Sequence, residues 1–282
     1  MDKVLERLIS RNYTKLTKSQ KQIAEYIIRN SDEAAFLSAK ALGKKVQVSD
    51  ATVIRLSNAL GVSGFAELQE ILQSQLKGKL ASSEKLKRTR VARRSDIYSL
   101  IFGSSIKNIL KAQREVSTSK LDEVIKVLHS AKKIFVVGLR RSHSIAFHLY
   151  YNLSRILNKV FLIESAYGIN YDQITEIGIH DVLVTISFPR YAKETLEITK
   201  IAKRKEATII AITDNPLSPI GQLADISLFW GYESPFFFGS HAGALVIEDC
   251  IIGGLSLRHR KRYIGRLAEL EDTLRQFGVW VK

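Results

Sequence analysis

A short stretch near the N-terminus carries residues suited to reading DNA. Ser49 can cap a helix, and the apolar residues after it recur at helical spacing and predict a buried stripe: Val53, Leu56 and Leu60. The opposite face places Ile54 beside Arg55. In the major groove an arginine can fork onto guanine, and an apolar group can contact a thymine methyl. We therefore predict DNA contacts from nine residues: Lys44, Lys45, Ser49, Asp50, Ala51, Thr52, Ile54, Arg55 and Asn58.

A second set of polar residues follows apolar, strand-like runs in the second half of the chain. Residues 138–144 (GLRRSHS) come after one such run and open a helix, whose free N–H groups and dipole favour an anion. Similar residues end two later runs, so we predict an anionic ligand held by Gly138, Arg140, Ser142, Ser144, Ser187, Arg190 and Thr213. Arg141 is an alternative to Arg140. A purely structural interpretation stays open, in which Ser142 caps the helix, Arg190 is solvated and residues 213–216 form a turn.

The remaining reactive residue types favour structural roles. The histidines at 143, 148, 180 and 241 each stand alone, outside any hydrolase or metalloprotease motif, and no Cys/His cluster has zinc spacing. Cys250, the single cysteine, lies in the apolar run 245–255 and is predicted to be a buried, inert thiol. We therefore predict no catalytic residue, no metal and no cofactor. Buried core is the favoured use of the three phenylalanines at 236–238, over an interface or a pocket wall.

The elements around the first site form a small all-α domain. Thr17 and Gln20 make a capping box that opens a helix, and Ser38 can cap another that ends near Lys45. That second helix and the one after Ser49 are joined by a short turn, the helix-turn-helix arrangement. We assign residues 1–77 to this DNA-binding domain.

Charge is concentrated in the same part of the chain. The net charge is +15, of which residues 1–96 carry +9, and this asymmetry indicates a polyanionic partner. The segment 78–96 is predicted to be a basic linker. A solvated tether is the favoured interpretation, and the alternative is that its charges also run along DNA phosphates. The basic run 258–262 is more simply a charged helix end after the core.

From residue 97 onward, apolar strand-like runs alternate with helical stretches. Five strands are predicted, at 134–138, 160–163, 182–186, 208–212 and 226–230, followed by a helix over 240–257 and a basic tail. This alternation is typical of a doubly wound α/β domain with a parallel sheet, which we assign to residues 97–282. Ligands of such sheets bind beyond the carboxyl ends of the strands, where the second set of polar residues falls.

Membrane and secretory classes are not indicated. No apolar run reaches the length of a membrane span, and the charged residues at positions 2, 3, 6 and 7 do not fit a signal peptide. We predict a cytoplasmic protein without a membrane partner.

The two halves together resemble the RpiR family of bacterial transcriptional regulators. The marks in the first half are Leu16-Thr17, Gln20, Ile23-Ala24, Ile27, Val48-Ser49, Thr52-Val53, Arg55, Leu60-Gly61, Gly64-Phe65 and Glu67-Leu68. In the second half, Val137-Gly138, Ser142, Ile186-Ser187, Ile212-Thr213-Asp214 and Ala224-Asp225 resemble a SIS (sugar isomerase) domain. The resemblance implies a homodimer or homotetramer that binds a double-stranded operator. It also implies that a phosphorylated sugar in the SIS domain changes DNA affinity.

Two departures from the family pattern bear on this expectation. Gly43 and Gln47 stand where Ala and the turn glycine are usual, and Gln is a costly residue for a left-handed turn. In the phosphate loop, Pro189, Arg190 and Ala192 replace Ser, Gly and Thr. We therefore describe the effector more generally as an acidic metabolite, a sugar phosphate or sugar acid. The expected function is regulation of carbohydrate or related carbon metabolism, without enzymatic activity. The alternative is a SIS-type sugar-phosphate isomerase with a helical appendage.

Overall fold

The described elements of the first part of the chain are all helices. The computed structural model describes residues 9, 12–79, 86, 96–164 and 169–280, and the chain divides into two units, Met1–Arg88 and Thr89–Lys282. After a 3-10 helix (Tyr13–Lys15), the first unit has the α-helices α1 (Lys18–Arg29), α2 (Ser31–Ala34), α3 (Ala39–Val46), α4 (Asp50–Ala59) and α5 (Phe65–Lys79). Most of the predicted linker 78–96 lies outside the described residues.

Helix caps and one apolar core fix the first unit. The predicted capping box is present: Thr17 Oγ1 accepts from the Gln20 backbone N–H at 3.4 Å, and Gln20 Oε1 accepts from the Thr17 N–H at 2.9 Å. Ser38 caps α3 through the backbone N–H of Ala41 at 3.1 Å. Side chains from α1, α3 and α4 then form a solvent-free core: Ile23, Ala24, Ile27, Leu42, Val53 and Leu56. The all-α prediction is confirmed.

A five-stranded parallel sheet organises the second unit. Its strands are β1 (Ile134–Val137), β2 (Val160–Ile163), β3 (Val182–Ile186), β4 (Thr208–Thr213) and β5 (Ile226–Phe229), in the order β2-β1-β3-β4-β5. Ile134 of β1 lies between Val160 and Val182 in register. The apolar residues of β1, β3 and β4 are buried on both sides because helices cover both faces. The doubly wound fold is therefore confirmed.

Helices cover the two faces unequally. One face packs against α6 (Asp96–Glu115), α7 (Thr118–Ser130), α8 (His143–Ile156) and α11 (Ala242–Arg258). The other packs against α10 (Lys193–Arg204) and α9 (Ile169–Thr175), a short helix that the sequence pattern does not predict. None of the described helices has both the length and the apolar character needed to cross a membrane.

Two predictions in the second unit are wrong, and a third is incomplete. The segment after α11, predicted only as a basic tail, forms a further helix, α12 (Arg260–Gln276). Cys250 is exposed and not buried, since the outward side of α11 is itself apolar and an apolar run does not show which side faces the core. The three phenylalanines at 236–238 do not belong to the core: they are partly exposed in the loop before α11, with Phe237 at 44%.

Candidate DNA-binding and effector sites

The α3–turn–α4 segment presents the predicted DNA-reading face. Ser49 Oγ accepts a hydrogen bond from the Thr52 backbone N–H at 3.3 Å and lies 2.8 Å from Thr52 Oγ1, so the first turn of α4 is held at its end. The Arg55 Nη2 group donates to Thr52 Oγ1 at 3.1 Å. The arginine is therefore tethered along the helix while its charge stays in solvent.

The rest of this face is open. Ile54 is 44% exposed, although it is a β-branched apolar residue. Exposed side chains surround it: Lys44, Ser49, Asp50, Ala51, Arg55 and Asn58. Thr52 is half-buried. An exposed apolar residue beside a positioned arginine is the combination that direct readout of base edges uses.

Lys45 is placed differently from Lys44. Its ammonium makes an ion pair with Glu33, whose other carboxylate oxygen accepts from the Tyr26 hydroxyl at 2.6 Å. The hydrogen bond from Lys45, followed by that from Tyr26, lowers the pKa of Glu33, and the same ion pair raises the pKa of Lys45. Glu33 thus offsets part of the Lys45 charge, and Lys44 is the freer of these two predicted DNA contacts.

The turn accommodates both departures from the usual helix-turn-helix sequence. Gln47 adopts the left-handed conformation, with φ 58° and ψ 43°. The Val48 N–H then donates to the Gly43 carbonyl at 2.8 Å. A Cβ on Gly43 would lie 2.7 Å from the Val48 carbonyl oxygen, so only glycine fits this close approach without a shift of the backbone.

In the second unit, the sheet order defines where a ligand crevice can form. The strand order reverses between β1 and β3, and loops that leave two such strands diverge above the sheet. Residues 138–144 follow β1, and residues 187–191 follow β3. Both predicted ligand loops therefore border one crevice.

Arg141, and not Arg140, connects the loops at this crevice. Arg140 is exposed with φ 56°. Arg141 Nη2 donates to the Gly239 carbonyl at 2.8 Å, and its guanidinium carbon lies 5.6 Å from the centre of the Phe188 ring. The loops after β1, β3 and β5 thus meet at one cation. Residue spacing offers the choice between two adjacent arginines but does not decide it.

His241 completes this contact and is a residue that sequence reasoning misses. Its Nε2 lies 3.3 Å from Arg141 Nη2, its Nδ1 lies 3.4 Å from Ser144 Oγ, and its ring packs edge-on against Phe188. Burial, together with the positive charge of Arg141, lowers the pKa of His241 to about 4. The imidazole is therefore neutral at pH 7, and Arg141 is the cation of this group.

The other predicted ligand residues are largely engaged with the protein itself. Ser142 is buried at the start of α8, and its side chain makes no helix cap, so that structural interpretation is wrong. A Cβ on Gly138 would meet the Ser142 carbonyl oxygen at 2.7 Å. Ser187 is buried, and the Thr213 hydroxyl donates to the Ser187 carbonyl at 2.7 Å, which ties the ends of β3 and β4 together.

A second tie at the same edge uses residues that are not among the predicted ligand contacts. The Tyr191 hydroxyl donates to Asp214 Oδ1 at 2.9 Å, and the Asn215 amide donates to Oδ2 at 2.6 Å. Burial raises the pKa of Asp214, against the lowering effect of these donors, and also raises that of Tyr191 well above its usual value. Arg190, with φ 68°, is exposed at the tip of the loop. These hydrogen bonds thus hold the loop after β3 to the end of β4, and Arg190 lies at the exposed tip of that loop.

Comparison with known proteins finds a matching domain family for each of the two units. The RpiR-family helix-turn-helix domain matches residues 3–83, and the SIS domain matches residues 127–235. An HTH-type transcriptional regulator of Haemophilus influenzae is 30% identical over 84% of this chain and 83% of its own length. The HTH-type regulator HexR of Pseudomonas aeruginosa is 26% identical over 97% of this chain and 96% of its own.

A solved structure shares the fold over the whole chain. The Vibrio vulnificus NanR protein, determined in complex with ManNAc-6P, matches with a TM-score of 0.61 at 22% identity, covering 97% of this chain and 98% of its own. A helix-turn-helix unit with an exposed reading face, followed by a SIS domain, defines a DNA-binding transcriptional regulator. The chain belongs to the RpiR family of these regulators.

Proposed function

We propose that this regulator controls genes of carbohydrate or related carbon metabolism and that an acidic metabolite, a sugar phosphate or sugar acid, modulates its affinity for DNA. The observation that carries the proposal is the meeting of three loops at Arg141 in the β1–β3 crevice. NanR was solved with a phosphorylated sugar, which gives the ligand class a precedent in the shared fold.

The site favours a ligand held by charge more than by a ring of hydroxyls. In the β3 loop, Phe188 has no hydrogen-bonding group and the Tyr191 hydroxyl already donates to Asp214, so neither offers a hydroxyl donor to a ligand. Arg141 and, at the rim, Arg190 supply positive charge, and Ser144 supplies a hydroxyl. Arginine pairs with carboxylates as well as with phosphates, which is why both ligand classes belong in the proposal.

We further propose a separate role for each part of the chain. We assign DNA binding to residues 1–77, connection to the basic segment 78–96, and effector binding and oligomerisation to residues 97–282. A homodimer or homotetramer would place two α4 helices on a palindromic operator, about 34–36 Å apart along B-DNA. As a regulator of transcription, it would act in the cytoplasm, with no membrane partner and no cofactor.

A ligand changes DNA affinity only as far as it binds the DNA-competent and DNA-incompetent arrangements differently. The test is fluorescence anisotropy of the full-length protein on its own upstream DNA, with and without a panel of sugar phosphates and sugar acids. We expect binding that weakens with added salt and persists in the presence of competitor DNA. At least one compound should change the affinity of this binding. Absence of a specific complex in every condition would refute the regulator assignment, and turnover of a sugar phosphate would favour the isomerase alternative.

A further inference from the structure

A cavity of about 290 Å³ lies at the amino edge of the sheet, between that edge and α12. Lys159, which lines it, directly precedes β2, and the Ile134 N–H at the start of β1 donates to the Lys159 carbonyl at 2.8 Å. The ligand crevice borders the opposite edge, where the parallel strands end. At about 3.3 Å per residue, strands of this length keep the two edges more than about 10 Å apart. The two sites are therefore separate.

The lining of this amino-edge cavity carries an excess of positive charge. Of the described residues that line it, Lys159, Arg262 and Arg266 are cations and Glu269 is the one acid, which leaves an excess of two positive charges. Arg262 makes no ion pair with any residue that the structure describes, and its side chain is exposed. An anion that entered the cavity would therefore meet more cations than carboxylates.

Two of these cations are held in place and still have donors to spare. The Lys159 ammonium donates to the His129 carbonyl at 2.6 Å and to the Ala131 carbonyl, where α7 ends. A lysine has three N–H donors, so one remains. Arg266 donates through Nε and Nη2 to carbonyls at the end of α8, and its Nη1 group has no hydrogen-bond partner among the described residues. The carbonyls thus position both cations for a further acceptor.

His129, which also lines the cavity, reports the electrostatic cost of this arrangement. Its ring stacks on His259 with the ring centres 3.4 Å apart and the planes within 5°. Burial, followed by the charges of His259, Lys159, Arg262 and Arg258, lowers the pKa of His129. Burial and then Arg262 also lower the pKa of Lys159. Both groups thus lie in a positive potential that a bound anion would relieve.

We infer that the amino-edge cavity binds a small anion that carries phosphate groups, at a second site distinct from the effector crevice. Arginine pairs with phosphate oxygens through two parallel N–H donors, and lysine adds a point charge. Ligand pockets commonly span roughly 300–1,000 Å³, so a cavity of about 290 Å³ suits a compound near the size of pyrophosphate. Such a ligand would join α12 to the start of β2.

The test is calorimetric titration of the full-length protein with pyrophosphate at constant ionic strength. All variants carry Arg141→Ala, which removes the cation of the effector crevice and isolates the second site. We expect saturable binding that Arg262→Gln weakens by about tenfold or more, because a charge-assisted hydrogen bond is lost. Arg260→Gln is the matched control. It removes the same charge from an exposed position on the same helix, outside the cavity lining, and should leave the affinity unchanged.

Glu269→Gln is expected to act in the opposite direction and to tighten pyrophosphate binding, because it removes the acid of the lining. Arg262 and Glu269 are both exposed, so these variants should fold. Histidine NMR gives an independent readout: saturating pyrophosphate should raise the pKa of His129 by about 1 unit or more.

Four results would each overturn the inference: no saturable binding in the Arg141→Ala protein, equal losses in Arg260→Gln and Arg262→Gln, no tightening by Glu269→Gln, or an unchanged His129 pKa. None of these readouts involves DNA or the effector crevice.

Discussion

The guanidinium carbon of Arg141 lies 5.6 Å from the centre of the Phe188 ring, over its face. This contact joins the loop after β1 to the loop after β3, the two strands between which the sheet order reverses. Such a cation–π contact contributes about 0.5–2 kcal/mol, depending on exposure. A ligand that forms an ion pair with the Arg141 guanidinium would therefore change the packing between these two loops.

The adjacent arginines give a matched test of the effector site. We expect Arg141→Ala to abolish the effector-dependent change in DNA affinity, because it removes the cation at which the three loops meet. Arg140→Ala removes the same charge from an exposed position one residue away and should retain the response. Anisotropy titrations with and without effector measure both. Equal losses in the two variants would show that only overall charge matters.

Arg55 is predicted to contribute to the preference for operator over random DNA. We expect Arg55→Ala to reduce the discrimination between operator and random DNA by about 1–3 kcal/mol, because a forked contact to a base is lost. Arg29→Ala removes the same charge from an exposed position on α1 and should leave that ratio unchanged. Competition titrations at fixed salt give the ratio. If Arg55→Ala weakened both DNAs equally, the residue would be a phosphate contact.

Gln47 stores backbone strain in the turn of the helix-turn-helix. We expect Gln47→Gly to stabilise the first unit by about 0.5–1 kcal/mol, because glycine tolerates φ 58°, while its greater freedom in the unfolded chain offsets part of the gain. Gln47→Ala, which keeps a Cβ, should give no such gain. Both tryptophans, Trp230 and Trp280, belong to the second unit. Urea unfolding seen by circular dichroism but not by tryptophan fluorescence therefore reports the first unit.

Glu248 makes stability depend on pH. Its side chain is fully buried between α8 and α11, and burial, then the nearby Asp249, raises its pKa well above the usual value. A raised folded-state pKa means that stability is complete below the unfolded pKa, about 4.3, and falls as pH rises toward the folded value. We expect the stability of Glu248→Gln to increase relative to wild type as the pH rises from 5 to 8, because the variant carries no carboxyl group to ionise. Urea midpoints at constant protein concentration measure this, and a pH-independent difference would contradict it.

The sequence predicts the sheet closely because its central strands are buried on both faces. Predominantly apolar runs predict Val160–Ile163 and Val182–Ile186 at their observed bounds, and the helix caps at Thr17, Ser38 and Ser49 are equally local signals. Such features depend on neighbours within a few residues. Local patterning is therefore enough to predict the class of fold and the two helices of the helix-turn-helix.

The ligand crevice depends on tertiary contacts that no local pattern contains. His241 reaches Arg141 across a hundred residues of sequence, and Arg141 is distinguished from Arg140 by its contacts with Gly239 and His241, which are distant in sequence. The error at Cys250 has a related cause. Helix α11 is apolar on its outward side as well as its inward side, so its hydrophobic pattern does not show which side meets the core.

The position of β1 in the middle of the sheet has a consequence for biosynthesis. β1 pairs with β2 on one side, but its other edge stays open until Val182–Ile186 has left the ribosome. The first unit needs only contacts among its own helices, which form early and quickly. A growing chain can thus fold its helix-turn-helix well before the parallel sheet is complete. We expect arrested nascent chains to show protease protection of the first unit before the second. We also expect a chain truncated within the sheet to bind DNA without responding to any metabolite.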